Sequence, residues 1–283
     1  MSSRRKFLQL SAMGATATGL SSIFGLTAAA ETSPAPIQGT EGLALGMAGY
    51  SFRYFDMYQT IEMMKRTGVK FLSIKDFHLA LNSPREVIQG VKDRFLGAGI
   101  TIYAAGVIYF KTKEEIDNAF NYAKMLGVDL IVGVPTVELL PYTEQKVKET
   151  NIRIAIHNHG PEDKLYPSPS DVYSKISKMD PRVGLCLDIG HSLRAGTDPA
   201  KAVLDYGPRI FDLHIKDLVS NAKDAKGVEL GRGVIDIPSL VKALKKIKFQ
   251  GKCSIEFELD MKDPLPGIAE SVGYFHGINK MVG

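Results

Sequence analysis

The chain has no tryptophan and only two cysteines among its 283 residues. Two cysteines form at most one disulfide, so a small fold held together by disulfides is excluded. Downstream of the amino terminus, no apolar run reaches the ~18 residues that cross a bilayer, which excludes a polytopic membrane protein. The composition, 45% hydrophobic and 23% charged, is instead typical of a folded domain with a large buried core.

The chain also has little excess charge of either sign. Its formal net charge is +4, and residues 1–30 hold Arg4, Arg5 and Lys6 but no acidic residue. The remainder therefore carries only +1. This near-neutral body provides no electrostatic basis for binding nucleic acid or an anionic membrane.

The amino terminus has the features of an export signal. Ser2–Gln9 resembles the twin-arginine consensus, a weakly apolar stretch follows, and Ala28–Ala30 offers a cleavage site of small residues. The alternative, an amphipathic helix or membrane anchor, is less favoured because the stretch is too polar to span well. We predict a twin-arginine signal over 1–30, a linker over 31–42, a catalytic domain over 43–283, and a periplasmic protein without stable membrane insertion.

Eight short β-branched or apolar runs alternate with helical patterns. The predicted strands are Leu45–Tyr50, Phe71–Ile74, Ile100–Val107, Leu130–Val134, Ile152–His157, Val183–Asp188, Ile210–Ile215 and Cys253–Phe257. Cys186 and Cys253 fall in two of these strands, on opposite faces by alternation, which indicates packed thiols rather than a disulfide.

The helical patterns include Asp56–Arg66, Pro84–Leu96, Glu114–Leu126 and Ile237–Ile247, and Ser83-Pro84 and Asp198-Pro199 are typical helix starts. Strands that recur after each helix require crossover connections and hence a parallel sheet. Eight units in this length favour a closed α/β barrel, a single (β/α)₈ TIM barrel, over an open sheet.

Polar side chains lie at or just beyond the ends of the last four predicted strands. They are His157, Asn158 and His159 at the fifth, Asp188 and His191 at the sixth, His214, Lys216 and Asp217 at the seventh, and Glu256 and Glu258 at the eighth. Strand ends of a parallel barrel meet at one mouth, where TIM-barrel enzymes place their chemistry. Converging carboxylates repel unless a cation neutralises them. Mixed imidazole and carboxylate ligands therefore predict one divalent metal of the Mn²⁺, Zn²⁺, Co²⁺ or Fe²⁺ type.

Three segments carry a family resemblance. Leu185–His191, Asp212–Asp217 and Ser254–Glu256 resemble the xylose isomerase-like TIM barrels, which include sugar isomerases, sugar epimerases and inosose dehydratases. The resemblance implies that Asp188, His214 and Glu256 hold the metal. It also implies that His191 contacts substrate hydroxyls.

The end of the fifth strand departs from the epimerases of this family. Where they carry a glutamate that binds metal and moves a proton, this chain has His157, similar to the inosose dehydratase-like branch. We predict His157 as the fourth ligand and, with His159, as a candidate proton-transfer group. Which of the two histidines binds the metal stays open at this point.

Three further cations are candidates for substrate contacts. Lys75 ends the second predicted strand and either assists catalysis at a substrate oxygen or forms a salt bridge with Asp76 or Asp56. Lys216 is predicted to bind substrate. Arg232 follows a polar loop and either binds a substrate oxygen or faces solvent.

One aromatic residue is also a candidate. Tyr109, near the end of the third predicted strand, lines the pocket or packs against it.

The predicted function is a metal-dependent sugar isomerase or epimerase that acts on a free sugar or keto-sugar through an enediolate, with Glu256 as the base. The alternative is a dehydratase or lyase for a keto-sugar or keto-inositol. The low charge disfavours an endonuclease IV-like nuclease, and a non-catalytic sugar-binding protein would not need the acid–base groups. The expected partner is a small carbohydrate, and homo-oligomerisation stays open.

Overall fold

The computed structural model describes residues 42–282. The predicted export signal, and all of the predicted linker except Gly42, lie outside these residues. No helix in the described part of the chain is long and apolar enough to cross a bilayer.

Eight parallel strands close into a barrel, as the sequence predicts. They are β1 (Ala44–Ala48), β2 (Phe71–Ile74), β3 (Thr101–Phe110), β4 (Leu130–Pro135), β5 (Arg153–His157), β6 (Val183–Asp188), β7 (Ile210–Ile215) and β10 (Lys252–Ile255), and a short antiparallel pair, β8 (Asp217–Leu218) and β9 (Gly227–Val228), follows β7. Around the barrel the order is β1-β10-β7-β6-β5-β4-β3-β2. The ends of β5, β6, β7 and β10 are therefore neighbours.

Helices cover the outside of the barrel. They are α1 (Met57–Thr67), α2 (Arg85–Gly97), α3 (Lys113–Leu126), α4 (Leu140–Thr150), α5 (Pro169–Ile176), α6 (Ile189–Arg194), α7 (Pro199–Tyr206), α8 (Ile237–Lys246) and α9 (Leu265–Met281). Local sequence explains several starts. Asp56 and Thr112 form capping boxes at α1 and α3, and Asp198 caps α7 ahead of Pro199.

Several element boundaries differ from the sequence prediction by one or more residues, and three of these differences are informative. The third strand runs to Phe110 rather than Val107, because its last three residues pair with β4. The last strand ends at Ile255, so Glu256 stands just beyond it. Pro84 occupies the cap position of α2 without a side-chain cap from Ser83. The two cysteines are buried free thiols, as predicted.

Candidate metal centre and active site

Four side chains from neighbouring strand ends converge inside the barrel mouth. His157, Asp188, His214 and Glu256 each offer one ligand atom, and these atoms lie within 4.8 Å of one another. All four residues are buried. They are the four residues that the sequence analysis assigned to a metal. The structure also separates the two histidines of strand five, because His157 is in this group and His159 is not.

The short distances within this group indicate a missing positive charge. His157 Nε2 lies 3.0 Å from His214 Nδ1 and 3.5 Å from Asp188 Oδ2, and His214 Nδ1 lies 3.2 Å from Glu256 Oε1. Asp188 Oδ2 is buried and accepts no hydrogen bond within the described residues. Imidazole nitrogens and carboxylate oxygens thus face each other at short range inside the mouth. This donor set fits a divalent cation of the zinc or manganese type.

A second candidate group shares two of these residues. His157, Cys186 and His214 also bring their ligand atoms together. However, burial raises the pKa of the Cys186 thiol to about 12, so the thiolate that binds metals is scarce at neutral pH. The group with two carboxylates is the better cation site.

Lys216 lies among the carboxylates of the mouth. Its Nζ is 2.7 Å from Glu256 Oε2, 2.8 Å from Glu258 Oε1 and 3.1 Å from Asp188 Oδ2. Burial opposes the charge of Glu256, but Lys216 and His214 outweigh it and hold the pKa of Glu256 well below its usual value. Glu256 is therefore ionised at neutral pH. A lysine that sequence reasoning assigned to substrate binding thus also compensates charge.

Glycine at position 190 makes room for this lysine. A Cβ there would lie 2.6 Å from Lys216 Cγ, too close for any larger residue without a shift. The Asp-Ile-Gly-His sequence after β6 therefore serves packing as well as chemistry.

The two carboxylate oxygens of Asp188 make different contacts. As the cap of α6 it accepts a hydrogen bond at Oδ1 from the backbone N–H of His191, at 2.7 Å, which leaves Oδ2 for the cluster. Asn158 fixes the same backbone: its Oδ1 accepts from Asp188 N–H, and its Nδ2 donates to Asp188 O and Ser192 Oγ. Asn158 was not among the predicted site residues. Its position directly between two strand-end histidines was the only signal.

Two more imidazoles border the cluster on the side of β5 and α6. The His191 ring lies 6.0 Å from the His157 ring and 5.8 Å from the His159 ring, between centroids. Burial lowers the pKa of His157 and of His191 to about 4, and it also lowers the pKa of His159. All three rings are therefore neutral near pH 7.

His159 connects the cluster to a tyrosine. Its Nδ1 lies 3.4 Å from His157 Nδ1, and its Nε2 lies 2.9 Å from the hydroxyl of Tyr109. Tyr109 is half exposed at the end of β3. Sequence reasoning left this tyrosine open between pocket lining and packing, since the pairing of β3 with β4 was not visible from the sequence.

Lys75 and Arg232 are held by other partners. Lys75 Nζ donates to the carbonyl of Val107 at 2.7 Å and lies 3.0 Å from Asp76, which is one of the salt bridges considered for it. Arg232 is exposed and makes two hydrogen bonds to Glu270, at 2.5 and 2.7 Å. The structure does not bring either side chain into the His157–Glu256 cluster.

The loop that carries Arg232 is organised by Asp217. Its carboxylate accepts hydrogen bonds from the backbone N–H groups of Gly231, Gly233 and Ile235, each at 3.0 Å. Asp217, the last residue of the Asp212–Asp217 segment, thus anchors the mouth loop, a role that was not predicted.

Below the cluster, a polar group closes the barrel floor. The Tyr103 hydroxyl donates to Asp212, at 2.8 and 3.0 Å to its two oxygens, and lies 2.5 Å from Ser254 Oγ. A cavity of about 410 Å³ lined by Tyr103 and Lys252 opens at the amino-terminal strand ends, away from the His157–Glu256 cluster. In TIM barrels that end serves stability rather than chemistry.

Comparisons with known proteins agree with this architecture. The family model described as xylose isomerase-like TIM barrel matches residues 108–276, which include all four residues of the cluster. An inosose dehydratase from Clostridium botulinum is 24% identical over 236 residues, covering 78% of this chain and 71% of that protein. An inosose isomerase from Bacillus licheniformis is 26% identical over 163 residues, covering 50% of this chain and 59% of that protein.

A solved structure supports the same fold. The crystal structure of IOLI protein with a binding zinc atom is 18% identical, with a TM-score of 0.73, and the match covers 85% of this chain and 99% of that one. The chain spans between 44% and 71% of the length of the curated relatives it matches. Because the family model matches more than half of the sequence, the chain belongs to the xylose isomerase-like TIM barrel family.

Proposed function

We propose that this protein is a divalent-metal-dependent sugar isomerase or epimerase that acts on a free sugar or keto-sugar. The observation that carries the proposal is the convergence of His157, Asp188, His214 and Glu256 at the barrel mouth. Relatives named inosose isomerase and inosose dehydratase support a polyhydroxylated ketone as the substrate class. The zinc of the IOLI crystal structure supports a metal of that type.

The four clustered residues would hold the cation, which when bound polarises a substrate carbonyl and acidifies the neighbouring C–H. Glu256 removes that carbon-bound proton. Its low pKa keeps it ionised and ready to accept one. Lys216, in contact with Glu256, fixes the carboxylate's direction. His157, at the end of β5, or His159, just beyond it, returns a proton to carbon, and His191 contacts substrate hydroxyls.

A second candidate is elimination of a β-oxygen substituent from a keto-sugar or keto-inositol. One observation favours it: the two flanking proton carriers are chemically different, a carboxylate just beyond the end of β10 and imidazoles at and just beyond the end of β5. Proton return to carbon works best with a matched pair, whereas elimination needs one base and one acid. The dehydratase relative, which aligns with 78% of this chain, supports the same reading.

The experiment is proton exchange in D₂O. Metal-free protein is loaded with Mn²⁺ or Zn²⁺ and incubated with keto-sugars, keto-inositols and keto-glycosides, and NMR follows deuterium and product. We expect deuterium beside the carbonyl, with an intact isomer for isomerisation or an unsaturated product for elimination. Glu256→Gln should lower exchange by at least 10²-fold, while the exposed control Glu62→Gln leaves it unchanged. An absence of exchange from every probe, despite bound metal, would reject the proposal.

We also propose that the protein is exported to the periplasm by the twin-arginine signal at its amino terminus. Replacement of Arg4 and Arg5 by lysine should retain the protein in the cytoplasmic fraction. Equal periplasmic amounts of both forms would reject this route.

A further inference from the structure

Two outcomes of the proposed reaction, isomerisation and elimination, move a carbon-bound proton and also need a proton delivered to an oxygen. Isomerisation turns a carbonyl oxygen into a hydroxyl, and elimination releases an oxygen that must leave as water or an alcohol. Glu256 and the histidines of β5 account for the carbon-bound proton only. The oxygen therefore needs a separate donor that reaches the open side of the mouth.

Tyr109 is in the right place for this task. Its ring is 50% exposed at the end of β3, and its hydroxyl touches His159 rather than the metal-binding group. The His159 ring, whose side chain is 20% exposed, stands between Tyr109 and His157. The phenol thus borders both solvent and the cluster.

The hydrogen-bond chain behind Tyr109 fixes where the protons are. His157 Nε2 faces Asp188 and His214, so as a metal ligand it keeps its lone pair there and carries its proton on Nδ1. His157 Nδ1 then donates a long hydrogen bond to His159 Nδ1, which lies 3.4 Å away and accepts it. A neutral imidazole that accepts at Nδ1 donates at Nε2.

It follows that the Tyr109 oxygen accepts the hydrogen bond from His159 at 2.9 Å. Its own hydroxyl proton is then not used by His159. The competing arrangement would need His159 Nδ1 to donate to Asp163, but that separation is 3.8 Å, beyond hydrogen-bond range.

We propose that Tyr109 is the proton donor to a substrate oxygen, with its free hydroxyl proton directed into the mouth by the His157–His159 chain. In this step the phenolic O–H bond breaks and an O–H bond forms on the substrate. The phenolate that remains is stabilised by the His159 N–H and takes a proton back from water. The proposal rests on the metal-dependent proton transfer proposed above. Burial also raises the pKa of Tyr109, which keeps the phenol protonated between turnovers.

The first test reads the tautomers directly and needs no substrate. In zinc-loaded protein labelled with ¹⁵N-histidine, we expect His159 to carry its proton on Nε2 and His157 on Nδ1. The His159→Gln variant assigns the signals. A His159 ring protonated on Nδ1 and bare at Nε2 would overturn the proposal, whatever the enzyme does.

The second test separates carbon from oxygen protonation. With a probe that the wild type exchanges, Tyr109→Phe should form product about 10²-fold more slowly yet keep deuterium exchange within about threefold. The matched control is Tyr142→Phe on α4, whose hydroxyl donates to Asp117 away from the mouth, and it should behave as wild type. Unchanged product formation in Tyr109→Phe, or equal loss of exchange and product, would overturn the proposal. If the wild type exchanges no probe, the proposed function is rejected. The ¹⁵N measurement of the His157 and His159 tautomers then tests the role of Tyr109 by itself.

Discussion

The two sides of the barrel mouth handle charge in opposite ways. On the carboxylate side, Asp188, Glu256 and Glu258 surround the single ammonium of Lys216. On the histidine side, defined by His157, His159 and His191, three neutral imidazoles pack ring to ring. The carboxylate side has excess negative charge, which the divalent cation proposed above would neutralise. The histidine side needs no counter-charge, and its His157 and His159 rings are joined to each other and to Tyr109 by contacts between donors and acceptors.

The largest expected effect comes from removing the cation of the carboxylate side. Lys216→Met leaves Asp188 and Glu256 buried without their ammonium, and breaking a buried ion pair costs about 3–5 kcal/mol. We expect that loss in the free energy of unfolding of the metal-free protein, measured in urea with EDTA. Added Zn²⁺ should recover part of it.

The matched change on the histidine side is His159→Gln, which removes no charge at pH 7. In the metal-free protein it should cost about 1 kcal/mol, the usual net value of a hydrogen bond. Equal losses from the two variants would contradict the contrast between the two sides.

A buried histidine outside the cluster allows the effect of burial on pH-dependent stability to be measured separately from the effect of metal binding. His78 follows β2, where its ring nitrogen Nε2 contacts Thr60 Oγ1 and Phe52 O, and burial lowers its pKa to about 4. The unfolded chain has a histidine pKa of about 6.5 and binds the proton first. Stability from His78 is therefore complete above pH 6.5 and is lost as the pH falls towards 4.

The size of that loss follows from linkage. Each pH unit in the window costs about 1.4 kcal/mol, or about 3 kcal/mol in total. Urea unfolding of the metal-free wild type and of His78→Gln between pH 7 and 4.5 should show a shallower pH slope for the variant. The difference between them should persist in zinc, because His78 is not in the His157–Glu256 cluster. Identical slopes would show that His78 is not a buried neutral group.

The fold and the convergence of polar residues at one mouth followed from local patterns. Hydrophobic runs separated by capped helices predict parallel strands, and parallel strands bring their carboxyl ends together whatever the exact register. These patterns placed the polar residues of four strand ends at one mouth without knowledge of any contact. The resemblance to the xylose isomerase-like barrels then selected Asp188, His214 and Glu256 among them as metal ligands.

Lateral contacts were not predictable in the same way. Three contacts each join residues from different strand ends. They are the ion pairs of Lys216, the hydrogen bonds of Asn158 to Asp188, and the hydrogen bond between Tyr109 and His159. They depend on barrel register, and β3 extends three residues further than its apolar pattern suggested. The anchoring of the mouth loop by Asp217 depends on a turn sixteen residues away. Local periodicity contains no information on such pairs.

The smallest expected effect tests whether the carboxylate side extends to the mouth loop. Arg232 is predicted to bind a substrate oxygen, yet its exposed guanidinium is paired with Glu270. An exposed pair of this kind stabilises a protein by under about 1 kcal/mol, so Arg232→Ala should leave the free energy of unfolding almost unchanged. For substrate binding, Arg232 must leave Glu270. The prediction then requires a several-fold higher KM in Arg232→Ala with kcat unchanged, and a lower KM in Glu270→Gln, which frees the arginine. The same KM in the wild type and both variants would confine substrate recognition to the inner mouth and leave Arg232 as a surface ion pair.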